Sequence, residues 1–240
     1  MTGAGGGLGE GICRSLAAAG AAVACVDRDR ETAEAIGAQV RASGGEALVV
    51  EADVSSSTSV EAMTERVAAE LGGIDILVNN AAIYPRRAWT EVTEEEWDSV
   101  LATNVKGYYL CARAAFDSIR ERGRGRIVNL SSITFHLGFP MLLDYVTSKG
   151  GVIGFTRALA REAGPEGVTV NAIAPGAFPT AAEAIHPNPE EYDRFVLDQQ
   201  SVKRRGTPDD IGNLVVFLAS DAASFISGQT IAIDGGWTMQ

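Results

Sequence analysis

Long apolar stretches are missing from this sequence of 240 residues. No run approaches the roughly 18–20 residues that a membrane-spanning helix needs, and no signal peptide precedes the first motif. Cysteine is scarce. The three present, Cys13, Cys25 and Cys111, are scattered without a Cys-x-x-Cys pair, so they read as buried free thiols in a reducing compartment, and a cytoplasmic protein is expected. Histidine is scarcer still. His136 and His186 cannot build a His-rich metal site, and no metal is assigned, although carboxylate sites are not excluded. Positive charge is short: 20 Lys and Arg stand against 31 Asp and Glu, a formal net charge of −11. That excludes nucleic acid and anionic membrane surfaces as partners, since both need clustered basic residues. There is also no linker, repeat or low-complexity tract, so residues 1–240 are expected to form a single domain.

What is present is a rhythm. Apolar runs rich in β-branched residues recur at 22–26, 47–50, 74–78, 126–130, 168–173 and 230–233. Between them lie segments with helical spacing, at 32–42, 60–71, 94–119, 145–163 and 208–218. Such alternation predicts an α/β fold: a doubly wound parallel sheet with helices on both faces. The runs lack polar alternation, as expected of strands buried on both sides. Residues 177–191 break the rhythm. They carry Pro179, Pro187 and Pro189 with no clear period, which predicts a long irregular loop of the kind that closes over a substrate.

The chain opens on a glycine-rich stretch, Gly3, Gly5, Gly6, Gly7, Gly9 and Gly11, followed by helical spacing through Ile12, Leu16 and Ala17. Glycines let backbone amides approach a pyrophosphate, and a helix N-terminus adds a favourable dipole. The first complete strand run ends at Asp27. A carboxylate about 20 residues past such a loop accepts both hydroxyls of an adenosine ribose and repels a 2′-phosphate. Its other reading is a cap for the helix that follows. Arg28 and Arg30 stand beside it, so NADP stays open, but NAD is the expected cofactor. A loop of this kind follows a strand, and only Met1 stands ahead of it. That strand is central in a doubly wound sheet, and without it two inner strands would leave backbone groups unpaired. Either the polypeptide extends upstream by about 5–6 residues, which is the expectation, or another segment fills the gap.

Tyr145 and Lys149 lie four apart in a segment of helical spacing, which puts phenol and ammonium on one face. A phenol has a pKa of about 10, and lowering it to roughly 7 takes about 4 kcal/mol. One cation at about 4 Å, at an effective dielectric near 20, supplies about that much. The pair is a candidate proton-transfer device.

Taken in order, Thr2 to Gly9, Asp53-Val54, Asn79-Asn80-Ala81-Ala82, Asn104, Ser131-Ser132, Tyr145-x-x-x-Lys149, Asn171 to Gly176 and Thr180 resemble the short-chain dehydrogenase/reductase family. The match runs from Thr2 to Gly236, with Ala82 departing from the family's usual Gly. The resemblance implies a Rossmann-like sheet of strand order 3-2-1-4-5-6-7, its first strand apparently absent from the sequence. It implies a catalytic set of Asn104, Ser132, Tyr145 and Lys149. Ser132, 13 residues before Tyr145, has the family spacing, and its neighbour Ser131 does not. In that picture Tyr145 is the general acid/base and Ser132 holds the reacting oxygen. Lys149 lowers the tyrosine pKa and holds the nicotinamide ribose, and Asn104 holds a water beside it. The implied cofactor contacts begin with Gly3, Gly7, Leu8 and Gly9 around the phosphates and Asp27 on the ribose. Asp53 and Val54 follow at the adenine, then Asn80 and Ala81 along the ribose. Tyr145, Lys149, Pro175, Gly176, Phe178 and Thr180 complete them at the nicotinamide.

The substrate pocket is expected from Ile133, His136, Leu142, Phe178 and Ile185, mostly apolar, which suits a hydrophobic ketone or secondary alcohol. Residues 79–85, 153–160 and 224–236 look loosely like members that act on aryl alcohols or pyridoxal. The function implied is NAD-dependent interconversion of a secondary alcohol and a ketone. An NADP-dependent 3-oxoacyl-carrier reductase is the alternative, and a non-catalytic dinucleotide binder or truncated member is the alternative of another class. The family also implies a homotetramer, a dimer of dimers paired through helices at 94–119 and 145–163.

Overall fold

A computed structural model describes residues 1–180, 183 and 188–239. Six parallel strands run through it: β1 (Val23–Asp27), β2 (Ala47–Glu51), β3 (Ile76–Asn79), β4 (Arg126–Leu130), β5 (Thr169–Pro175) and β6 (Thr230–Ile233). β1 pairs with β2, and β3 to β6 pair in sequence order. Met1 and Thr2 join the two groups. Thr2 pairs in parallel with Val26, Val26 N–H donates to Met1 O, and Thr2 N–H donates to Val78 O. The spatial order is therefore β2-β1-(Met1-Thr2)-β3-β4-β5-β6, the expected doubly wound arrangement with two residues at its centre. No other described segment lies between β1 and β3.

Successive strand residues alternate between two apolar layers, which is why the runs carry no polar period. Val23, Cys25, Val49, Val78, Val128 and Ile173 face α1 (Leu8–Ala18), α2 (Arg30–Ala42) and α9 (Pro208–Ala219). Ala24, Val26, Val50, Leu77, Ile127 and Val170 face α3 (Ser57–Leu71) and α5 (Gly107–Glu121). Cys13, Cys25 and Cys111 are buried free thiols. α1 and α9 cross closely because Gly11 and Gly212 sit at the contact. A methyl on Gly11 would stand 2.4 Å from Pro208, and one on Gly212 2.2 Å from Ser15 Oγ.

Local chemistry sets the helix ends. Asp29 caps α2, accepting from Glu31 N–H and Thr32 N–H, and Ser56 caps α3. Thr93 and Glu96 form a reciprocal capping box on α4 (Glu94–Leu101), as Thr207 and Asp210 do on α9. The expected helix at 94–119 is continuous but not uniform. A π-helical turn, Ala102–Lys106, separates α4 from α5 and carries Asn104. Such turns often mark functional positions.

Two short helices were not expected. α6 (Thr134–Leu137) follows β4, and α8 (Pro189–Gln199) begins inside the stretch expected to be irregular. Pro189 breaks nothing there. It occupies the first helical turn behind an Asn188 cap, where its missing N–H costs no hydrogen bond. The expected irregularity of 177–191 therefore fails at 189–191, which are helical, and residues 181, 182 and 184–187 of that stretch lie outside the described residues. α7 (Leu143–Ala163) is the longest helix described. No helix among the described residues is long and apolar enough to cross a membrane.

Candidate active site

The carboxyl ends of β1, β3, β4 and β5 open on one cleft of about 490 Å³. In an open α/β sheet this is where ligands bind. Its floor at one end is the glycine loop. Gly3 (φ +66°) lies so close to the chain after β3 that a methyl there would stand 2.7 Å from Ala81 Cα. Gly7 (φ +59°) starts α1, and beyond its Cα there is only the Thr180 side chain, 3.7 Å from where a Cβ would sit. α1 has no side-chain cap; Gly9 N–H donates to Gly6 O at 3.0 Å, while the positive end of the α1 dipole opens on the cleft at Gly7 and Leu8, where it suits an anion. Gly9 is set back from the cleft. A methyl there would collide with Gly3 O, so Gly9 shapes the loop without lining it.

Asp27 stands at the tip of β1. Its Oδ2 accepts from Gly5 N–H at 2.8 Å and its Oδ1 from Asp29 N–H at 3.1 Å. These bonds aim the carboxylate along the cleft, and Asp29 takes the capping role that Asp27 could have had. Asn80 ties β3 to the loop by donating to Gly3 O at 2.8 Å and Thr2 O at 3.2 Å. Asp53 and Val54 lie outside this cleft. Asp53 is held below the usual carboxylate range by the Ser55 hydroxyl and backbone N–H, with a smaller contribution from Arg28. Val54 is buried against Gly107.

At the other end Ser132, Tyr145 and Lys149 converge. Ser132 Oγ accepts from Thr134 Oγ1 at 2.9 Å and Thr134 N–H at 3.2 Å, and its hydroxyl lies close enough to the Tyr145 phenol to favour the phenolate. Ser131 points away and donates to Lys149 O at 2.9 Å, so the two adjacent serines have distinct partners. Lys149 is buried. Its Nζ donates to Leu130 O at 2.7 Å and to Tyr108 Oη at 3.4 Å, and lies 5.5 Å from the Tyr145 ring centre. Asn104 is buried outside the cleft lining. It accepts from Ile83 N–H at 2.9 Å and donates to Ile83 O and Ser148 Oγ. It thereby pins the chain after β3 to the turn of α7 between Tyr145 and Lys149.

One expectation is corrected. The lysine was expected to bring the phenol down toward neutrality. Burial instead pushes Tyr145 up to about 12, with the Ser132 hydroxyl opposing it. Burial also pushes Lys149 down to about 7. Desolvation outweighs the ion–phenol attraction because Nζ is aimed at the Leu130 carbonyl and not at the phenol oxygen.

The substrate side differs in part from expectation. Ile133, Leu142 and Phe178 line the cleft. Phe178 is nonetheless a fixed wall, buried in the core against Gly206. His136 does not line it. α6 turns the imidazole to the opposite side, against Phe135 and toward Ile153 and Arg157. Ile185 lies outside the described residues. Sequence reasoning missed Tyr84, Arg86, Tyr192 and Trp237, which line the mouth, and Tyr108, which supports Lys149. Tyr84 meets the Tyr145 ring edge-on at 5.6 Å. Phe139, Trp237, Phe195 and Tyr192 form a chain of ring contacts beyond it. Arg205 braces this wall through Glu183, Asp193 and the Ala177 carbonyl, with its guanidinium 5.7 Å from the Tyr192 ring centre.

A glycine loop, an acid at the tip of β1 and a Ser–Tyr–Lys set at the tip of β4 define a dinucleotide-dependent oxidoreductase, and this chain belongs to the short-chain dehydrogenase/reductase family. A family model described as enoyl-(acyl carrier protein) reductase matches residues 3–238. The chain is 40% identical to the nodulation protein G of Azospirillum brasilense over 242 residues, covering all of this chain and 97% of that protein. It is 38% identical to the 3-oxoacyl-acyl-carrier-protein reductase of Staphylococcus aureus (strain Mu50) over 240 residues, with coverage of 100% and 97%. Among solved structures it superposes on a putative short-chain alcohol dehydrogenase from Sinorhizobium meliloti 1021 with a TM-score of 0.94 at 41% identity, covering 98% of this chain and 94% of that one. A putative gluconate dehydrogenase from Agrobacterium tumefaciens gives a TM-score of 0.93 at 34% identity, with coverage of 98% and 93%.

Proposed function

We propose that this protein interconverts a hydrophobic secondary alcohol and its ketone with NAD as the redox partner. The observation that carries this reading is the meeting of Ser132, Tyr145 and Lys149 in the same cleft whose far end holds Asp27. The glycine loop and the uncapped N-terminus of α1 fit a pyrophosphate, and the Asp27 carboxylate fits an unphosphorylated ribose. The dinucleotide supplies the hydride acceptor or donor. In oxidation Tyr145 takes the alcohol proton, and in reduction it returns a proton to the carbonyl oxygen. Ser132 holds that oxygen and stabilises the charge developing on it. Lys149 and Asn104 keep α7 registered on β4 so that the phenol and the serine hydroxyl stay within reach of each other. Ile133, Leu142, Tyr84 and Trp237 favour an apolar or aromatic substrate.

An NADP-dependent 3-oxoacyl-carrier reductase is the second reading, favoured by the 38% identity to a protein of that name and opposed by Asp27. Rates with NADH and NADPH, measured on a panel of aryl ketones and a short 3-oxoacyl thioester, separate the two. An NADPH preference with the thioester would replace the first reading, and no turnover with any pair would remove both. We further propose a cytoplasmic homotetramer, a dimer of dimers through the helices at 94–119 and 145–163. Exposed Tyr109 on α5, and exposed Phe217 and Phe225 near the C-terminus, support it. A monomeric mass by light scattering would exclude it.

A further inference from the structure

Two basic side chains line the cleft among the described residues, and they stand at different depths. Lys149 is buried and engaged by Leu130 O and Tyr108 Oη. Arg86 stands exposed at the mouth, with no hydrogen bond or ion pair to any described residue. The acidic groups of the lining are both engaged, Asp27 by the Gly5 and Asp29 amides and Glu183 by Arg205. Arg86 is thus the one charged group of the described lining without a partner. Its neighbour Arg87 lies outside the lining and pairs with Glu96 of α4.

The chain holds Arg86 in place. On one side Ile83 N–H donates to Asn104 at 2.9 Å, and Ile83 O accepts from Asn104 at 2.8 Å. On the other, Arg87 N–H donates to Met141 O at 3.0 Å. Between these anchors Pro85 fixes one backbone angle. Met141 is itself held at φ +63°, the one positive value at a non-glycine among the described residues. Such a conformation persists only where the surroundings over-determine it. Residues 84–86 therefore form a short bridge along the rim, and Tyr84 at its start meets the Tyr145 ring at 5.6 Å. The charge of Arg86 reaches the facing wall. The Tyr192 phenol, raised by burial and by Glu183, is drawn back by Arg205 and by Arg86.

We propose that Arg86 is a specificity-determining residue that takes a carboxylate at the far end of the substrate, which makes the substrate a keto acid, or its hydroxy acid, with an apolar body. This deepens the reading above and rests on it for the reacting end. A planar guanidinium with a free fork of donors matches a carboxylate. One arginine balances one negative charge, which favours a carboxylate over a phosphate dianion. Ser132 and Tyr145 fix the reacting oxygen, Ile133, Leu142 and Trp237 line the apolar span, and Arg86 completes it. A chain of net charge −11 otherwise repels an anion, so the unpaired arginine stands where such a substrate needs it.

The test measures NADH-dependent reduction of 4-acetylbenzoate, of its homologues with one and two methylenes before the carboxylate, and of the methyl ester of each. In every case the carbonyl carbon receives the hydride of NADH, Tyr145 gives the oxygen a proton that solvent replaces, and NAD⁺ and the alcohol are the products. The best acid is expected to exceed its own ester at least about fivefold in kcat/KM. Arg86→Gln should bring that ratio near one, and Arg86→Lys, which keeps the charge but loses the fork, should retain part of it. The ratio is internal to each variant, so a loss of folded enzyme does not alter it. Turnover of the esters with no acid preferred, or a preference that survives Arg86→Gln, would overturn the inference and leave the reading of the reacting end standing. No turnover of any ketone would sink that reading, and calorimetric titration of the same acids in excess NADH then decides the inference. Binding to the parent at least about fivefold tighter than to Arg86→Gln sustains it, and equal or undetectable binding overturns it.

Discussion

The inner wall of the cleft is made of strand ends and a helix of 21 residues, whereas the outer wall is made of a loop, α8 and the turn that carries Trp237. Ser132 and Lys149 of the inner wall, and Asn104 behind it, are buried and held by backbone partners. Tyr84 and Phe195 of the outer wall are exposed, and Arg205 holds that wall through ion pairs with Glu183 and Asp193. Groups that move a proton need positions fixed to a fraction of an ångström, which packed elements provide. Groups that only recognise a side chain tolerate a looser support. The inner wall should therefore govern kcat and the outer wall KM, and each variant below tests that division.

Tyr145→Phe carries the largest expected effect. It removes the proton donor and acceptor while leaving the ring against Tyr84, so kcat should fall by at least about 10²–10⁴ with NADH binding, read by fluorescence titration, unchanged. Retention of full turnover would end the acid/base assignment.

The pH profile has the next largest effect. Oxidation needs the phenolate, and burial holds Tyr145 well above neutrality, at about 12. The ionised fraction then grows with pH throughout the neutral range, so the oxidation rate should climb about tenfold per pH unit until it meets the tyrosine's pKa in the complex. Reduction needs the neutral phenol and should not share that climb. An oxidation rate flat between pH 7 and 9 would show that proton transfer to Tyr145 does not limit it.

Much of this inner wall was legible in the sequence, and the physical reason is regularity. Strands buried on both faces leave uninterrupted apolar runs, and residues at strand tips inherit their place from the strand, as Asp27, Asn80 and Ser132 do. The outer wall was not legible. Tyr84, Tyr192 and Trp237 reach the cleft from segments whose path depends on tertiary contacts, and no period marks them. His136 misled because nothing in the sequence tells which way a four-residue helix will turn its side chains. Pro189 misled because a proline signals a break and a helix start equally well, and only the Asn188 cap decides between them. The tyrosine pKa misled for a different reason. Sequence spacing places a cation near a phenol but says nothing about a nearer carbonyl that turns the cation away.

Asp27→Ala tests the far end of the cleft. Losing a charged acceptor for two ribose hydroxyls should weaken NAD about 10- to 100-fold, and NADP, which meets no repulsion in the variant, should gain relative to it. Ratios of kcat/KM with the two cofactors check this. Unchanged selectivity would show that Arg28 and Arg30, and not Asp27, set the preference.

Arg205→Ala should have the smallest effect and draws the comparison most finely. The guanidinium ties Ala177, Glu183 and Asp193 together beneath the Tyr192 ring, and none of these groups touches Ser132 or Tyr145. Its loss should loosen the substrate side and raise KM a few-fold, about 1 kcal/mol or less of uniform binding, with kcat within about twofold of the parent. Burial holds the Glu183 carboxyl above its ordinary range, and its hydrogen bond to Arg205 opposes that rise. Removing the arginine should thus lift that carboxyl further and move the acid limb of the KM profile to higher pH. A fall in kcat as large as that of a Ser132 or Tyr145 variant would mean that the outer wall positions the reacting groups as well, and the two walls would have to be treated as one.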